Sequence, residues 1–134
     1  MAIRIVQLGS VRHENEGIRI GTVRRPPRGV SKQDYAKLDY YDVWLPELAP
    51  SASLLQQFKA RPETPARWKR FMIQYAREME KPPAVRILEL LALLSRSTNF
   101  SVGCYCQDES HCHRSTLRAL LEKHGALIAG SDNR

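Results

Sequence analysis

Short β-rich runs alternate with longer helical patterns along this chain, and that alternation restricts the fold more than any other feature. Residues 3–10 (IRIVQLGS), 18–23 (IRIGTV) and 100–106 (FSVGCYC) are short, apolar and rich in β-branched residues, which predicts strands. A further strand is expected over 40–48 (YYDVWLPEL), ended by Pro46. Helices are expected from SASLLQQF (51–58), over 66–80 and over 84–95, with Pro82 and Pro83 breaking the chain between the last two. In 66–80, Trp68, Phe71, Met72, Tyr75 and Met79 recur at spacings of three and four, leaving Lys69, Arg70, Gln74, Arg77 and Glu78 on the other face. The 84–95 segment is apolar nearly all round, so it is expected to be buried, and Trp44, Trp68 and Phe71 are expected to be mostly buried. A last helix is expected from Ser115, its N-cap, to Gly125, with Leu117, Leu120 and Leu121 at helical spacing. Strands separated by helices favour a small parallel or mixed sheet of about four strands flanked by helices. The length of 134 residues fits one α/β domain, expected over 1–130 with 131–134 as a disordered tail.

Charge narrows the partner. The chain carries 21 Lys and Arg against 14 Asp and Glu, a formal +7, and 15 of the 21 cations are Arg. Such an excess points to an anionic partner, and guanidinium suits planar, bidentate contact with phosphate. In RRPPRG (24–29) the prolines forbid a regular ladder or helix, so Arg24, Arg25 and Arg28 are presented on a loop as candidate anion-binding residues. Residues 59–70 hold five cations against Glu63 alone. The longest apolar stretch, AVRILELLALL from Ala84, is interrupted by Arg86 and Glu89 and falls short of the roughly 20 residues of a membrane span, so no membrane partner is expected.

Chemistry concentrates in CYCQDESHCHRS (104–115), which holds all three cysteines, His111, His113 and Arg114. It lies where a strand gives way to a helix, and in open parallel sheets ligands bind outside the carboxyl ends of the strands. A helix N-terminus favours negative charge and can lower a thiol from about 8.5 to about 3.5–7.5. The same amides, with Arg114, could hold a phosphate or carboxylate. An odd cysteine count and an N-terminus that opens directly as a strand argue against a disulfide framework and for a reducing, cytoplasmic home. Two plainer readings stand beside these. Cys104 and Cys106 could be small core residues. Alternatively Cys104, Cys106, Cys112 and His111 or His113 could hold zinc, although the one-residue gap in Cys-Tyr-Cys is tighter than usual zinc loops and is expected to aim the two side chains apart. No other cofactor is expected. A phosphatase-type loop, with five residues between cysteine and arginine, is absent, because seven separate Cys106 from Arg114.

RRPPRGVSKQD followed by DVWLPELAPS and RW, then CYCQDESHCHRS with its helix, resembles the domain of unknown function 488 family, including its YeaO-like group. The resemblance covers most of the chain and implies a small intracellular α/β domain without an established reaction. It further implies a cysteine at a strand end, an acidic residue soon after and a Cys-His-Arg triplet before a helix, which fall on Cys106, Glu109, Cys112, His113 and Arg114. Two functions follow. One is an enzyme acting on a small anionic or nucleic-acid substrate, with Cys112 or Cys106 as nucleophile or redox thiol. There His113 carries the proton, Glu109 orients or acts as acid–base, and Arg114 with Arg25 and Arg28 clamps the anion. The other is a nucleic-acid- or metal-binding module without catalysis.

Overall fold

The computed structural model describes residues 1–129, so the tail expected at 131–134 lies outside the described residues. Four parallel strands form one sheet in the order β1-β4-β2-β3: β1 Ile3–Gln7, β2 Ile18–Gly21, β3 Val43–Trp44 and β4 Phe100–Cys104. The helices are α1 Ala52–Lys59, α2 Pro65–Glu78, α3 Ala84–Leu94 and α4 His113–Lys123. This is the small α/β fold the alternation predicts.

Strand register decides which face the helices cover. Ile3 and Ile5 of β1 lie opposite Phe100 and Val102 of β4, and Ile20 of β2 lies opposite Val102, so these side chains share one face. They join Leu54 of α1, Phe71 and Tyr75 of α2, Leu88 of α3 and Leu117 and Leu121 of α4 in a single apolar core. Ser51 and Thr64 cap α1 and α2 by accepting from the amides of Leu54 and Arg67, each at 3.1 Å. Tyr75, fully buried, donates its hydroxyl to the Leu48 carbonyl at 2.6 Å, satisfying the one polar atom it brings inside.

The opposite face is polar. Arg19 and Ser101 are register neighbours there, and both donate to Glu16: Arg19 Nε and Ser101 Oγ to Oε2 at 2.6 Å each, Arg19 Nη2 to Oε1 at 2.9 Å. Arg19 Nη1 donates to the carbonyls of Ser10 and Asp39, so the connections after β1 and β2 close over this face and Arg19 and Glu16 are buried. Gly21 and Gly103 are also register partners there. A Cβ on Gly21 would stand 2.3 Å from the Tyr41 ring, and one on Gly103 2.7 Å from the Val6 carbonyl, so neither position admits a side chain.

Four expectations need correction. The strand over 40–48 shrinks to two edge residues: Tyr41 turns into the interior, Pro46 opens a 3-10 turn, and Trp44 is 40% exposed, its indole donating to the Val23 carbonyl. Trp68, half-buried, and Phe71, buried, are placed as expected. Helix α3 is not buried all round, because only the Leu88, Leu91 and Ala92 side meets the core, leaving Leu90, Leu93 and Leu94 exposed. Finally, α4 starts two residues before Ser115. Cys112 is its extended N-cap, and its carbonyl accepts from the amide and hydroxyl of Ser115, which places Ser115 inside the first turn.

Burial alone would raise the Glu16 carboxyl, but its bonds from Arg19, Ser101 and the His13 amide outweigh that and hold it at about 2, against an ordinary 4.5. A depressed folded value means the carboxylate stabilises the fold above pH 4.5 and loses that contribution as pH falls toward 2. Glu16→Gln should therefore cost about 3 kcal/mol at pH 7 and flatten the acid limb of stability between those limits, as read by urea titration at several pH values. An unchanged acid limb would contradict the role given to this carboxylate.

Candidate functional site

Strand β4 ends at Cys104, the chain turns outward through Tyr105 and Cys106, and a 3-10 turn (Glu109–His111) returns it to Cys112 at the start of α4. This path brings the sulfurs of Cys104, Cys106 and Cys112 within 4.8 Å of one another, with Cys104 and Cys106 at 3.8 Å. The expectation that Cys-Tyr-Cys aims its side chains apart is thereby corrected. Residues two apart in an extended chain point the same way, and leaving the ladder after Cys104 lets Cys106 fold back. Cys104 and Cys112 are buried and Cys106 is exposed. Leu8, Val23 and Tyr41 complete the small apolar cluster around the two buried thiols, with Tyr35, Tyr40 and Tyr105 packed against it.

The three thiols divide their protons unequally. Cys112 is held well below the ordinary thiol range, chiefly because Cys104 and then Cys106 donate to its sulfur, while burial opposes this and His113 beside it assists. Cys104 is pushed up because its proton is shared with Cys106 and Cys112 and because it is buried. For Cys106, the bond from Cys104 favours its thiolate, but donation to Cys112, burial and the Cys112 charge prevail and raise it. The acidic sulfur is thus Cys112, one of the two buried ones, and the accessible sulfur, Cys106, is not acidic.

His113 is oriented from behind. Its Nε2 lies 2.8 Å from the Thr22 carbonyl, which can only accept, so Nε2 carries the hydrogen and Nδ1 faces Cys112 Sγ at 3.7 Å. The ring stands edge-on to Tyr75 at 5.3 Å. Arg114 is 3% exposed: one guanidinium nitrogen donates to the Cys106 carbonyl, and its Nε has no partner. Among the described residues no carboxylate pairs with it.

The remaining expected site residues separate. Glu109 is engaged by Arg118, whose Nε and Nη2 donate to its carboxylate at 2.6 and 3.0 Å. Arg24 spends its guanidinium on the carbonyls of Pro46, Ala49 and Pro50, so it pins its loop. Arg25 and Arg28 are exposed, and the Tyr105 hydroxyl, donating to the Arg25 carbonyl at 2.9 Å, ties their loop to the cysteine loop. His111 stands apart from the sulfurs, pairing with Asp108 and lying 5.7 Å from the Trp68 ring. Sequence reasoning missed Glu16 and Arg19, although a carboxylate three residues before an arginine on an otherwise apolar strand was a visible signal. It also missed Tyr41, whose hydroxyl is buried without a partner among the described residues.

A family model described as "Active DUF488-N3 subclade" matches residues 3–125. The chain belongs to the DUF488 family. No curated protein and no solved structure matches it. The matched DUF488 region takes in the sheet, all four helices and every residue of the thiol cluster.

Burial, with Tyr35 close by, pushes Tyr41 up to about 12, so it stays a neutral phenol with an unmet donor. Removing that hydroxyl while keeping the ring on Gly21 removes a desolvation cost of about 1–3 kcal/mol. Tyr41→Phe should leave stability unchanged or raise it in chemical denaturation, and a loss of more than about 1 kcal/mol would show that the hydroxyl is satisfied in solution.

Proposed function

We propose that Cys104, Cys106 and Cys112 form a soft-metal centre, zinc being the best fit, with an open fourth position at which an anionic substrate is processed. The observation that carries this reading is the convergence of three sulfurs within 4.8 Å at the carboxyl edge of a parallel sheet. The 3.8 Å separation of Cys104 and Cys106 is about the edge of a tetrahedron with metal–sulfur bonds near 2.3 Å. Three protein ligands with one position free is the pattern of catalytic rather than structural zinc, where the metal polarises a bound oxygen or lowers the pKa of bound water to about 7. Binding would release the thiol protons, and three thiolates around a divalent ion leave one net negative charge. The buried guanidinium of Arg114, without a carboxylate partner among the described residues, supplies the matching positive charge beside Cys106. The matched subclade is described as active, which supports a working role for the cluster without choosing between a metal and a thiol mechanism.

A second reading rests on the low ionisation of Cys112 next to His113: Cys112 as nucleophile, with His113 carrying the proton. Its burial counts against it, because a nucleophile must meet its substrate.

Metal analysis of protein purified without chelators should find about one zinc per chain. Cys106→Ser and Cys112→Ser should lose it, and Arg114→Met should weaken zinc affinity by roughly 10- to 100-fold, as outer-shell changes do. In cobalt-substituted protein, phosphate should shift the visible bands saturably by entering the fourth position. Protein that stays metal-free after dialysis against zinc, with three titratable thiols, would overturn the metal reading and leave the nucleophile.

A further inference from the structure

We propose that the substrate presented to this centre is single-stranded nucleic acid, gripped by basic surfaces on both sides of the cysteine loop. The inference rests on the reading that the thiol cluster is the functional centre, and it adds the substrate class. On one side stand Arg25 and Arg28, exposed on a loop stiffened by Pro26 and Pro27 and fixed to the cysteine loop through Tyr105. On the other side the start of α2 meets the same loop, because the Trp68 ring lies 5.7 Å from that of His111. Exposed Lys69 and Arg70 stand in the same turn of α2 as Trp68, on its outer face. Arg67 donates to the carbonyls of Gln57 and Phe58, binding the end of α1 to the start of α2, so exposed Lys59 and Arg61 belong to that same corner. Exposed acidic residues there are few. Glu63 is one, and Asp108 is paired with His111.

A compact anion would need the cations of one side only. Two sets of exposed cations, one tied to the cysteine loop at Tyr105 and one beside the α2 turn that meets it at His111, fit a chain of phosphates longer than either set alone would hold. Aromatic rings stand beside both sets of cations: Trp44, 40% exposed and tied to the Val23 carbonyl two residues before Arg25, Tyr105, half-buried and tied to the Arg25 carbonyl, and the half-buried Trp68 of α2. Rings of this kind stack on bases only when the bases are unpaired, which favours a single strand over a duplex.

Fluorescein-labelled oligothymidylates of 5 and 20 nucleotides and a 20-base-pair duplex would be titrated against the zinc-treated full chain by anisotropy from low to moderate salt. Zinc content would be measured on the same samples. The 20-mer should bind more tightly than the 5-mer and the duplex, with log K falling by about 0.7 per phosphate contact on log salt. Arg25→Ala with Arg28→Ala should reduce that slope by up to about 1.4, and the combined Lys59, Arg61, Lys69 and Arg70 alanine variant by up to about 2.8, each with zinc content unchanged. Equal binding of 5-mer and 20-mer, preference for the duplex, or a slope insensitive to either set would overturn the proposal. Absence of zinc with oligonucleotide binding intact would instead sink the metal reading and leave this one standing.

Discussion

Everything on the helix-free face of the sheet hangs on one buried carboxylate. Glu16 accepts from Arg19 on β2 and Ser101 on β4, so a single side chain bridges two strands that are far apart in sequence. Two ions taken out of water are costly unless their remaining donors and acceptors are met, and here they are: Arg19 also reaches the carbonyls of Ser10 and Asp39. Those carbonyls belong to the connections after β1 and β2. The Arg19 amide donates to Asp42, and Arg12 bonds both Asp39 and Asp42, so the ion pair extends into a network that holds the 35–42 segment down. That segment seats Tyr41 on Gly21, and Tyr41 packs in the cluster that contains Cys104 and Cys112. A charge pair under the sheet thus fixes the wall of the thiol centre.

The centre itself follows from where one strand ends and one helix begins. Cys104 is the last ladder residue of β4 and Cys112 the N-cap of α4, both set by backbone hydrogen bonding rather than by the sulfurs. Only Cys106 is supplied by a loop, and it is the exposed one. Two rigidly placed thiols and one accessible thiol make a cluster that is preorganised yet open on one side. Arg114 and His113, in the first turn of α4, reach it from behind, one through the Cys106 carbonyl and one held by Thr22.

Much of this was legible in the sequence. Strand runs of period two and the Trp68-to-Met79 stripe located three strands and α2 because burial enforces those periods. The loop 104–115 stands out as a candidate site because cysteine, histidine and arginine crowd it at a strand-to-helix junction. What could not be read was pairing at a distance. Nothing local in Arg24 or Glu109 tells that one is consumed by three carbonyls and the other by Arg118. Nor does Cys-Tyr-Cys reveal that the ladder stops between its cysteines, which is what lets the sulfurs meet. Trp44 and the outer side of α3 misled because large apolar residues at a sheet edge or a helix exterior look the same in sequence as core residues.

X-ray absorption at the zinc edge of the purified protein tests the central claim most directly. The account predicts three sulfur scatterers at about 2.3 Å and one nitrogen or oxygen at about 2.0–2.1 Å, a shell that is lost together with the zinc in Cys106→Ser. A zinc shell made only of nitrogen and oxygen, or one unchanged by removing Cys106, would contradict it.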